Sequence, residues 1–277
     1  MATPPSQQPD GLVVPTATKR SGRSPQVSLA IRLIVPVAIV VGWTWLAGTT
    51  VLPEGTLPTP LEVWRQWRAM WTQDDLAGQL LASLGRSAFG LSIGASIGFA
   101  LGLFAGLSRL GEELVDAPLQ MMRAVPFVAL IPLFILWFGI GETPKIVIIA
   151  LATYYPMYVN TANGVRNVDR KIVECARAFD VKGPRLLISV ILPLALPAIL
   201  TGLRLSLVIS VLALVIAEQI NAQSGIGFLL VRATSYGQSF TVFACVALYA
   251  LTGLLADLLV RAIERVVLRW RAGVAVR

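Results

Sequence analysis

The residues best suited to act on a partner are concentrated in one short stretch, residues 166–185, which reads RNVDRKIVECARAFDVKGPR. Nine of these twenty residues are charged, so the stretch cannot lie in hydrocarbon and must face water. It also places Ile172, Val173, Ala176 and Phe179 at helical spacing, with charged residues elsewhere on the helical wheel. A simple connector needs only a few polar residues, so this pattern predicts a helix that docks onto a partner.

The rest of the chain offers few residue patterns that could catalyse a reaction. There is no histidine, which excludes an imidazole base, an HExxH metal site and a histidine-ligated haem. None of the lysines lies in a GxxxxGK[ST] phosphate loop, so an ATP-driven process would need another polypeptide to bind the nucleotide. Cys175 and Cys245 predict neither a disulfide nor a metal site. Glu218 and Asp257 fall near the ends of apolar runs, which is a weak basis for a proton or sodium relay.

Composition indicates a membrane protein. Hydrophobic residues make up 56% of the 277 residues, the mean hydropathy is +0.73, and only 14% of residues are charged, against about 25% in soluble domains. Six windows carry no charge or a single one, and each is at or near the roughly 20 residues needed to cross a bilayer. We therefore predict an all-α membrane protein with about six transmembrane helices. The windows are Leu33–Pro53, Ser87–Ser108, Ala124–Gly141, Ile146–Val165, Leu186–Ala217 and Ala233–Ala256.

The distribution of Lys and Arg predicts the orientation of these spans. With the N-terminus inside, 17 basic residues fall on the cytoplasmic side, among them Arg109 and Arg123, and five fall outside. The positive-inside rule then places both termini and the 166–185 stretch in the cytoplasm. This topology accounts for the net charge of +8. No nucleic-acid partner is expected, because the basic residues are divided among four segments instead of forming one face.

The chain divides into a long membrane domain and two short tails. Residues 1–30 are rich in Pro, Ser, Gln and Thr and predict a disordered cytoplasmic tail. A cleaved signal peptide is disfavoured, because the first apolar run is longer than a typical signal core and the basic patch begins nearly twenty residues into the chain. Residues 31–265 form the predicted transmembrane domain, with a coupling loop at 166–190, and residues 266–277 form a basic cytoplasmic tail.

Glycine and proline mark the spans. Glycine recurs at every fourth residue of the second window, so one helix face is bare backbone that a neighbouring helix can approach closely. Packing within one subunit is the favoured interpretation, and contact between subunits or a pore lining are the alternatives. Recurrent prolines, Pro126 among them, predict bent or broken spans. The glycines are Gly90, Gly94, Gly98, Gly102 and Gly106.

Arg204 is the one charged residue in the middle of a predicted span. A charge there costs roughly 2.5–3.5 kcal/mol on insertion scales, so it must be paired or solvated. Pairing with another helix is the favoured interpretation. A cationic lining of a path for an anionic substrate and a snorkelling position near an interface are the alternatives.

Two separated motifs give the chain a family resemblance. ECA at 174–176 and VILP at 190–193, whose proline stands nineteen residues after Glu174, resemble the EAA–x3–G–x9–I–x–L–P loop of ABC-transporter permease subunits. The stretches Ala124–Ile146, GVRNVD (164–169) and TGLRL (201–205) are similar to the nitrate, sulfonate and taurine importer permeases. The resemblance implies a type I ABC importer fold in which the loop forms a cytoplasmic coupling helix seated on the ATPase.

Two positions depart from the family pattern. Cys175 replaces the usual Ala, which is a small change, and Asp180 replaces the motif Gly. That Gly is expected to end the coupling helix in the left-handed conformation, which Asp is among the few other residues to adopt, at a cost near 1 kcal/mol. Gly183 and Pro184 are expected to share the turn. The resemblance assigns ATPase coupling to Glu174, Cys175, Ala176, Arg177, Phe179, Asp180 and Pro193.

The resemblance implies a permease subunit of an ATP-driven importer for a small solute, in particular an anion such as an aliphatic sulfonate, taurine or nitrate. The chain itself would be no enzyme and bind no cofactor, because ATP and Mg²⁺ belong to the ATPase. The implied partners are a second permease copy in a homodimer, two ATPase subunits, an extracytoplasmic solute-binding protein and the lipid of a bacterial-type plasma (inner) membrane, which the chain crosses several times.

Three alternatives stay open. One is an ion-coupled secondary transporter, which would need inverted repeats and midplane carboxylates. Another is a membrane anchor for a cytoplasmic enzyme, which would leave the proline bends and the glycine repeat unexplained. The third is an ABC permease for a thiamine-precursor pyrimidine, since the sequence alone does not fix the solute.

Overall fold

The computed structural model describes residues 25–49, 57–220 and 222–268, and all regular structure in these ranges is helical. Helix α1, Pro25–Ala47, belongs to one compact unit and the chain from residue 50 onwards forms the other. Helix α1 begins inside the predicted N-terminal tail 1–30, of which residues 1–24 lie outside the described residues. Most of the predicted C-terminal tail, residues 269–277, also lies outside them.

The second unit is a bundle of long helices joined by shorter ones. Its helices are α2 (Pro60–Gln73), α3 (Leu76–Leu107), α4 (Arg109–Ala124), a 3-10 turn (Phe127–Leu130), α5 (Ile131–Phe138), α6 (Glu142–Arg166), α7 (Arg170–Ala178), α8 (Gly183–Leu186), a π-helical turn (Leu187–Ile191), α9 (Leu192–Glu218), α10 (Ile226–Ser235) and α11 (Ser239–Val267).

Several of these helices are suited to cross a membrane. Three described helices are long and apolar enough by themselves: α3, the continuous helix Gly183–Glu218 that contains α9, and α11. A fourth span results if α4 and residues 127–138, which meet at an angle of 80°, are taken together. The prediction of an all-helical, multi-span protein is therefore confirmed for the described residues.

The third predicted window, Ala124–Gly141, is broken near its start, as the bend predicted at Pro126 implies. Helix α4 begins at Arg109 and ends at Ala124, and the chain turns by 80° before the 3-10 turn begins. The break follows from Pro126, which has no N–H and pushes the preceding residue out of helical geometry; Val125 has φ −82° and ψ 120°. Arg123 consequently lies in the last turn of α4, directly before the break.

The last predicted window, Ala233–Ala256, is also shifted. Helix α10 ends at Ser235, and Gly237 with φ +66° turns the chain into α11, which starts at Ser239 and continues to Val267. The charge-free window includes the end of α10 and most of α11, because the turn between these two helices carries no charged residue.

Helix α2 was not anticipated from the sequence. A capping box starts it, in which the Glu62 amide donates to the Thr59 hydroxyl and the Thr59 amide donates to the Glu62 carboxylate. The hydrogen bonds from the Thr59 backbone and side chain lower the pKa of Glu62. Gln66 donates to the Thr241 hydroxyl over 2.9 Å, and Trp67 donates to the Ala244 carbonyl over 2.9 Å, so α2 is fixed along the start of α11.

The glycine repeat of α3 packs against α6. A Cβ placed on any of the five glycines would fall within contact distance of α6, along its length from Ile149 near the start to Val165 near the end. At Gly98 the added carbon would overlap the Tyr154 carbonyl oxygen. The bare face therefore serves packing within one subunit, the interpretation that the sequence analysis favoured.

Helix α6 is approached as closely from its other side by α9. A Cβ on Gly202 would meet the Asn160 side chain at 2.8 Å, and a Cβ on Gly164 would meet Ala198 at 2.7 Å. The Ser206 hydroxyl donates to the Thr153 carbonyl over 2.8 Å, so a polar contact crosses the same interface. Helix α6 is thus held between two helices whose backbones lie unusually near its own.

Substituting Gly98 by Ala tests this packing. We expect Gly98→Ala to destabilise the purified protein by about 1–3 kcal/mol, because the new methyl group meets a backbone carbonyl that cannot rotate away. Thermal unfolding in detergent would measure the loss. Gly85→Ala is the matched control on α3, since a Cβ there meets nothing within 4 Å and Ala favours a helix over Gly. Equal midpoints for the two variants would contradict the assignment.

Candidate functional site

Helix α7 forms where the charged stretch predicts a helix that docks onto a partner. Asp169 caps it, since its carboxylate accepts from the Lys171 amide over 2.9 Å, and the helix runs to Ala178. None of its residues is buried, and Phe179, which follows it, is 80% exposed. A large aromatic ring held in water is costly unless a partner covers it. The arrangement therefore offers a charged helix with an apolar end to another protein.

The end of α7 is locked by a Schellman motif. The Val181 amide donates to the Ala176 carbonyl over 3.0 Å, and the Asp180 amide donates to the Arg177 carbonyl over 3.0 Å. Asp180 has φ 61°, the left-handed conformation expected for the position of the motif glycine. Gly183 has φ +56°, so the turn back towards the bundle is shared between the two positions, as the sequence analysis anticipated.

The VILP half of the family motif, residues 190–193, lies at a groove beside α7. Ile172 on α7 lines it together with Ser189, Val190, Pro193 and Leu194 at the start of the long helix that contains α9. The structure thus brings Pro193 to the neighbourhood of α7, although nineteen residues separate it from Glu174. The side chains of Glu174, Cys175 and Arg177 are exposed, Ala176 is half-buried, and Cys175 is a free thiol.

An ion pair ties the start of this segment to the bundle. Arg166, the last residue of α6, donates to the Glu112 carboxylate over 2.6 Å and to the Ala105 carbonyl over 3.3 Å. Tyr158, two turns earlier on α6, donates to Asp116. These contacts join α6 to α4 and α3 beside α7. The sequence analysis missed them, although the acidic residues at the start of α4 were a readable signal.

The largest polar network lies at the opposite end of the bundle, around Arg86 of α3. All five N–H groups of its guanidinium are used, on two carboxylates and on the Ser224 carbonyl and hydroxyl. The ion pair with Glu218 spans 2.6 Å, and Arg86 and Glu218 are only 5% and 1% exposed. The second carboxylate belongs to Glu142, which precedes the apolar part of α6; the hydrogen bond from Arg86, supported by one from Lys145, lowers the pKa of Glu142 to about 2.

Glu218 is the last residue of α9, and its two carboxylate oxygens join α9 to three other helices. They accept from the Ser83 hydroxyl on α3, from the Gly227 amide at the start of α10 and from the Tyr249 hydroxyl on α11, all at 2.8–3.0 Å. A buried charge that lost these donors would carry its full desolvation cost. Sequence reasoning noted Glu218 only as a carboxylate near a span end, because its partners are up to 135 residues away.

Arg204 is paired within the chain. Its Nε donates to Asp257 on α11 over 2.7 Å, and Asp257 also accepts from Arg261 over 2.7 Å. This is the pairing between helices that the sequence analysis favoured, with Asp257 shared between Arg204 and Arg261. Among the described residues no cluster of His, Cys, Asp and Glu is arranged to hold a metal ion.

Comparison with known proteins places this geometry in a family. The family model described as binding-protein-dependent transport system inner membrane component matches residues 98–269. The aliphatic sulfonates transport permease protein SsuC of Bacillus subtilis is 42% identical over 239 residues, covering 86% of this chain and 87% of the relative. SsuC of Escherichia coli is 45% identical, covering 85% and 90% of the two chains. The taurine transport system permease protein TauC of Escherichia coli is 34% identical, covering 91% and 92%.

Solved structures share the fold at low sequence identity. The MetNI methionine ABC transporter in an inward-facing conformation matches with a TM-score of 0.57 and 20% identity, covering 71% of this chain and 98% of the other. An amino acid ABC transporter matches with a TM-score of 0.60 and 18% identity, covering 72% and 97%. At this identity the likeness shows the fold alone.

Removing the Glu218 carboxylate tests the polar network. We expect Glu218→Ala to destabilise the protein by about 3–5 kcal/mol, because it leaves the buried Arg86 guanidinium short of a partner. Thermal unfolding in detergent would measure the change. Glu113→Ala, at an exposed carboxylate on α4, is the control and should leave the midpoint nearly unchanged. A midpoint for Glu218→Ala equal to that of the control would show that the network contributes nothing.

Proposed function

The chain belongs to the family of binding-protein-dependent transport system inner membrane components, and from that premise we propose how it works and what it carries. It is a permease subunit of an ABC transporter and not an enzyme. The observation that carries the proposal for its solute is the 42–45% identity to two aliphatic sulfonate permeases over about 85% of the chain.

We infer that α7 transmits force from a separate ATPase. Its exposed Glu174 and Arg177 offer charged contacts, and the exposed Phe179 and the groove at Ile172 and Pro193 offer apolar ones. The Schellman turn at Asp180 fixes the end of α7, so a push on the helix displaces it as a unit. ATP and Mg²⁺ are bound and hydrolysed on the ATPase, and residues of this chain take part in no bond chemistry.

The connection from α7 to the bundle is short. Only residues 167–169 separate the end of α6 from α7, and the Arg166–Glu112 ion pair fixes that end against α4. Helix α6 in turn lies in close contact with α3 and α9. Movement of α7 is therefore passed to three long helices together, which is the mechanical step that alternating access requires.

The proposed assembly contains two copies of this chain, two ATPase subunits and an extracytoplasmic solute-binding protein. One chain carries a single coupling loop, so a homodimer supplies the second one by two-fold symmetry. The proposed topology has about six spans in a bacterial-type inner membrane, with both termini and α7 in the cytoplasm. The excess of basic residues on that side supports it, and it persists when Arg123 is moved into the bundle.

The proposed solute is a small anion of the aliphatic sulfonate, taurine or nitrate class. Relatives described as sulfonate and taurine permeases support the sulfonate part of this class. A pyrimidine permease and an ion-coupled transporter gain no support from the relatives, and the carboxylates Glu218 and Asp257 are engaged in ion pairs instead of being free to carry protons.

Purification of the assembled transporter tests the proposal. We expect an ATPase and a solute-binding protein to co-elute with this chain from solubilised membranes, and the binding protein to retain an alkanesulfonate or taurine. Uptake of labelled ethanesulfonate into cells should then require the ATPase. Uptake that continues undiminished in cells lacking the ATPase would refute an ABC mechanism, and a binding protein that retains only a pyrimidine would refute the solute class.

Reversing the charge at Glu174 tests the docking role of α7. We expect Glu174→Arg to lower ethanesulfonate uptake by about tenfold or more, since losing a charged contact at a protein interface costs roughly 2–5 kcal/mol. The fold should be unchanged, because the side chain is exposed. Uptake and ATP hydrolysis would be measured on the same proteoliposomes.

Two comparisons complete that experiment. Glu174→Gln removes the charge but keeps the shape, so its uptake should lie between wild type and the reversal. Glu264→Arg, on α11 instead of α7, controls for charge reversal in general and should retain uptake. Wild-type uptake by Glu174→Arg, with normal coupling to ATP hydrolysis, would remove α7 from the mechanism.

A further inference from the structure

Arg123 is the basic residue of the bundle that the family assignment leaves without a role. Its Nη1 donates to the Tyr155 hydroxyl over 3.2 Å, and its guanidinium carbon lies 5.1 Å from the centre of the Tyr155 ring. Both contacts leave most of the guanidinium donors free, and the residue is exposed on the surface of the chain. The aromatic ring holds the cation in place without neutralising it.

The contacts between α4 and α6 place Arg123 about half-way along α6. Glu112 meets Arg166 at the end of α6, Asp116 meets Tyr158, and Arg123 meets Tyr155. Helix α4 therefore rises along α6 from the end that carries α7. Tyr155 stands eleven residues before Arg166, which is about 17 Å along a helix and near half of a hydrocarbon core of about 30 Å.

Three basic side chains that are buried or half-buried between the helices are paired with carboxylates, whereas Arg123 has no such partner among the described residues. Arg86 pairs with Glu142 and Glu218, Lys145 pairs with Glu142, and Arg204 pairs with Asp257. In the described ranges, no carboxylate lies within ion-pair distance of Arg123. An unpaired charge at this depth cannot face lipid and must face water or another charged group.

The backbone beside Arg123 leads to the same conclusion. The helix breaks at Val125 and Pro126, and residues 120–126 are exposed without interruption. Irregular backbone at membrane depth is tolerated only where protein covers it or where it lines a water-filled cavity. A charge and a helix break on one exposed surface together indicate a hydrated path. Discontinuous helices of this kind form the solute sites of other transporters.

We propose that Arg123, oriented by Tyr155, lines the solute path at mid-depth and is the cation that contacts the anionic head of the solute as it crosses. The proposal rests on the proposed function for the identity of the solute as an anion. It reassigns the role that the sequence analysis offered as one alternative for Arg204, whose guanidinium is paired with Asp257. A sulfonate oxygen and a guanidinium form short, charge-assisted hydrogen bonds, which suits brief contact during passage.

Uptake by charge variants tests the proposal in the complete transporter, reconstituted with its ATPase and binding protein in proteoliposomes. The probe is labelled ethanesulfonate. We expect Arg123→Gln to lower the uptake rate by about tenfold or more, as the loss of a hydrogen bond between charged groups does. Arg123→Lys should retain more uptake than Arg123→Gln, and Arg123→Glu should retain less, because the order follows the charge. ATP hydrolysis stimulated by the loaded binding protein should persist in all three.

Arg109→Gln is the matched control, since Arg109 is also exposed on α4 but lies at its first residue, and its uptake should equal that of wild type. Uptake by Arg123→Gln within twofold of wild type would overturn the proposal, as would a loss confined to Arg204→Gln. The outcome is separable from the solute assignment. A wild-type transporter that takes up no ethanesulfonate refutes the proposed solute, whereas uptake insensitive to Arg123 refutes only the present inference.

A second variant covers the case in which Arg123→Gln fails to assemble. Arg123→Cys is modified after reconstitution with a thiol reagent, and the wild-type transporter, which carries the exposed Cys175 thiol, is treated in parallel to correct for modification at that site. A reagent that adds a positively charged ethylammonium group should restore uptake, and one that adds a negatively charged sulfonate should not. Equal uptake with the two reagents would overturn the proposal, because a purely structural site would respond to bulk and not to sign.

Discussion

The fold depends on one constraint, which is that a charge away from water must have a partner. The bundle meets it at Arg86, whose five donors are all used on Glu218, Glu142 and Ser224. The same requirement is satisfied between α9 and α11, where Arg204 pairs with Asp257. Each pair joins helices far apart in the chain, so the charges that would oppose insertion become the contacts that hold the helices together.

Close contact between helix backbones also stabilises the bundle, at the interfaces of α6 with α3 and α9. In lipid there is little hydrophobic drive between helices, so contact must come from shape. The glycines of α3 and Gly164 and Gly202 at the α6–α9 interface allow α6 to lie against both of its neighbours. Such an interface is closely packed and leaves no room for an added Cβ atom. A displacement of α6 is therefore carried to α3 and α9 and not absorbed between them.

The two ends of the bundle consequently differ in character. At the end with α7, polar groups are left exposed, and the Arg166–Glu112 pair fixes the helix that a partner would move. At the other end, Glu218 gathers α3, α10 and α11 into a closed network. Between them α4 stops at Pro126, half-way along α6, and exposes Arg123. A rigid frame with one interrupted helix is suited to a protein that must move without coming apart.

The sequence by itself determined the membrane class, the helical content and the docking segment, because these follow from local composition and from spacing within a few turns. The left-handed Asp180 and the intrasubunit use of the glycine repeat were readable for the same reason. Tertiary structure alone decided the partner of Arg204, the donors around Glu218 and the contact between Arg123 and Tyr155. These depend on which residues meet across the bundle, and a charge-free window contains no information about distant partners.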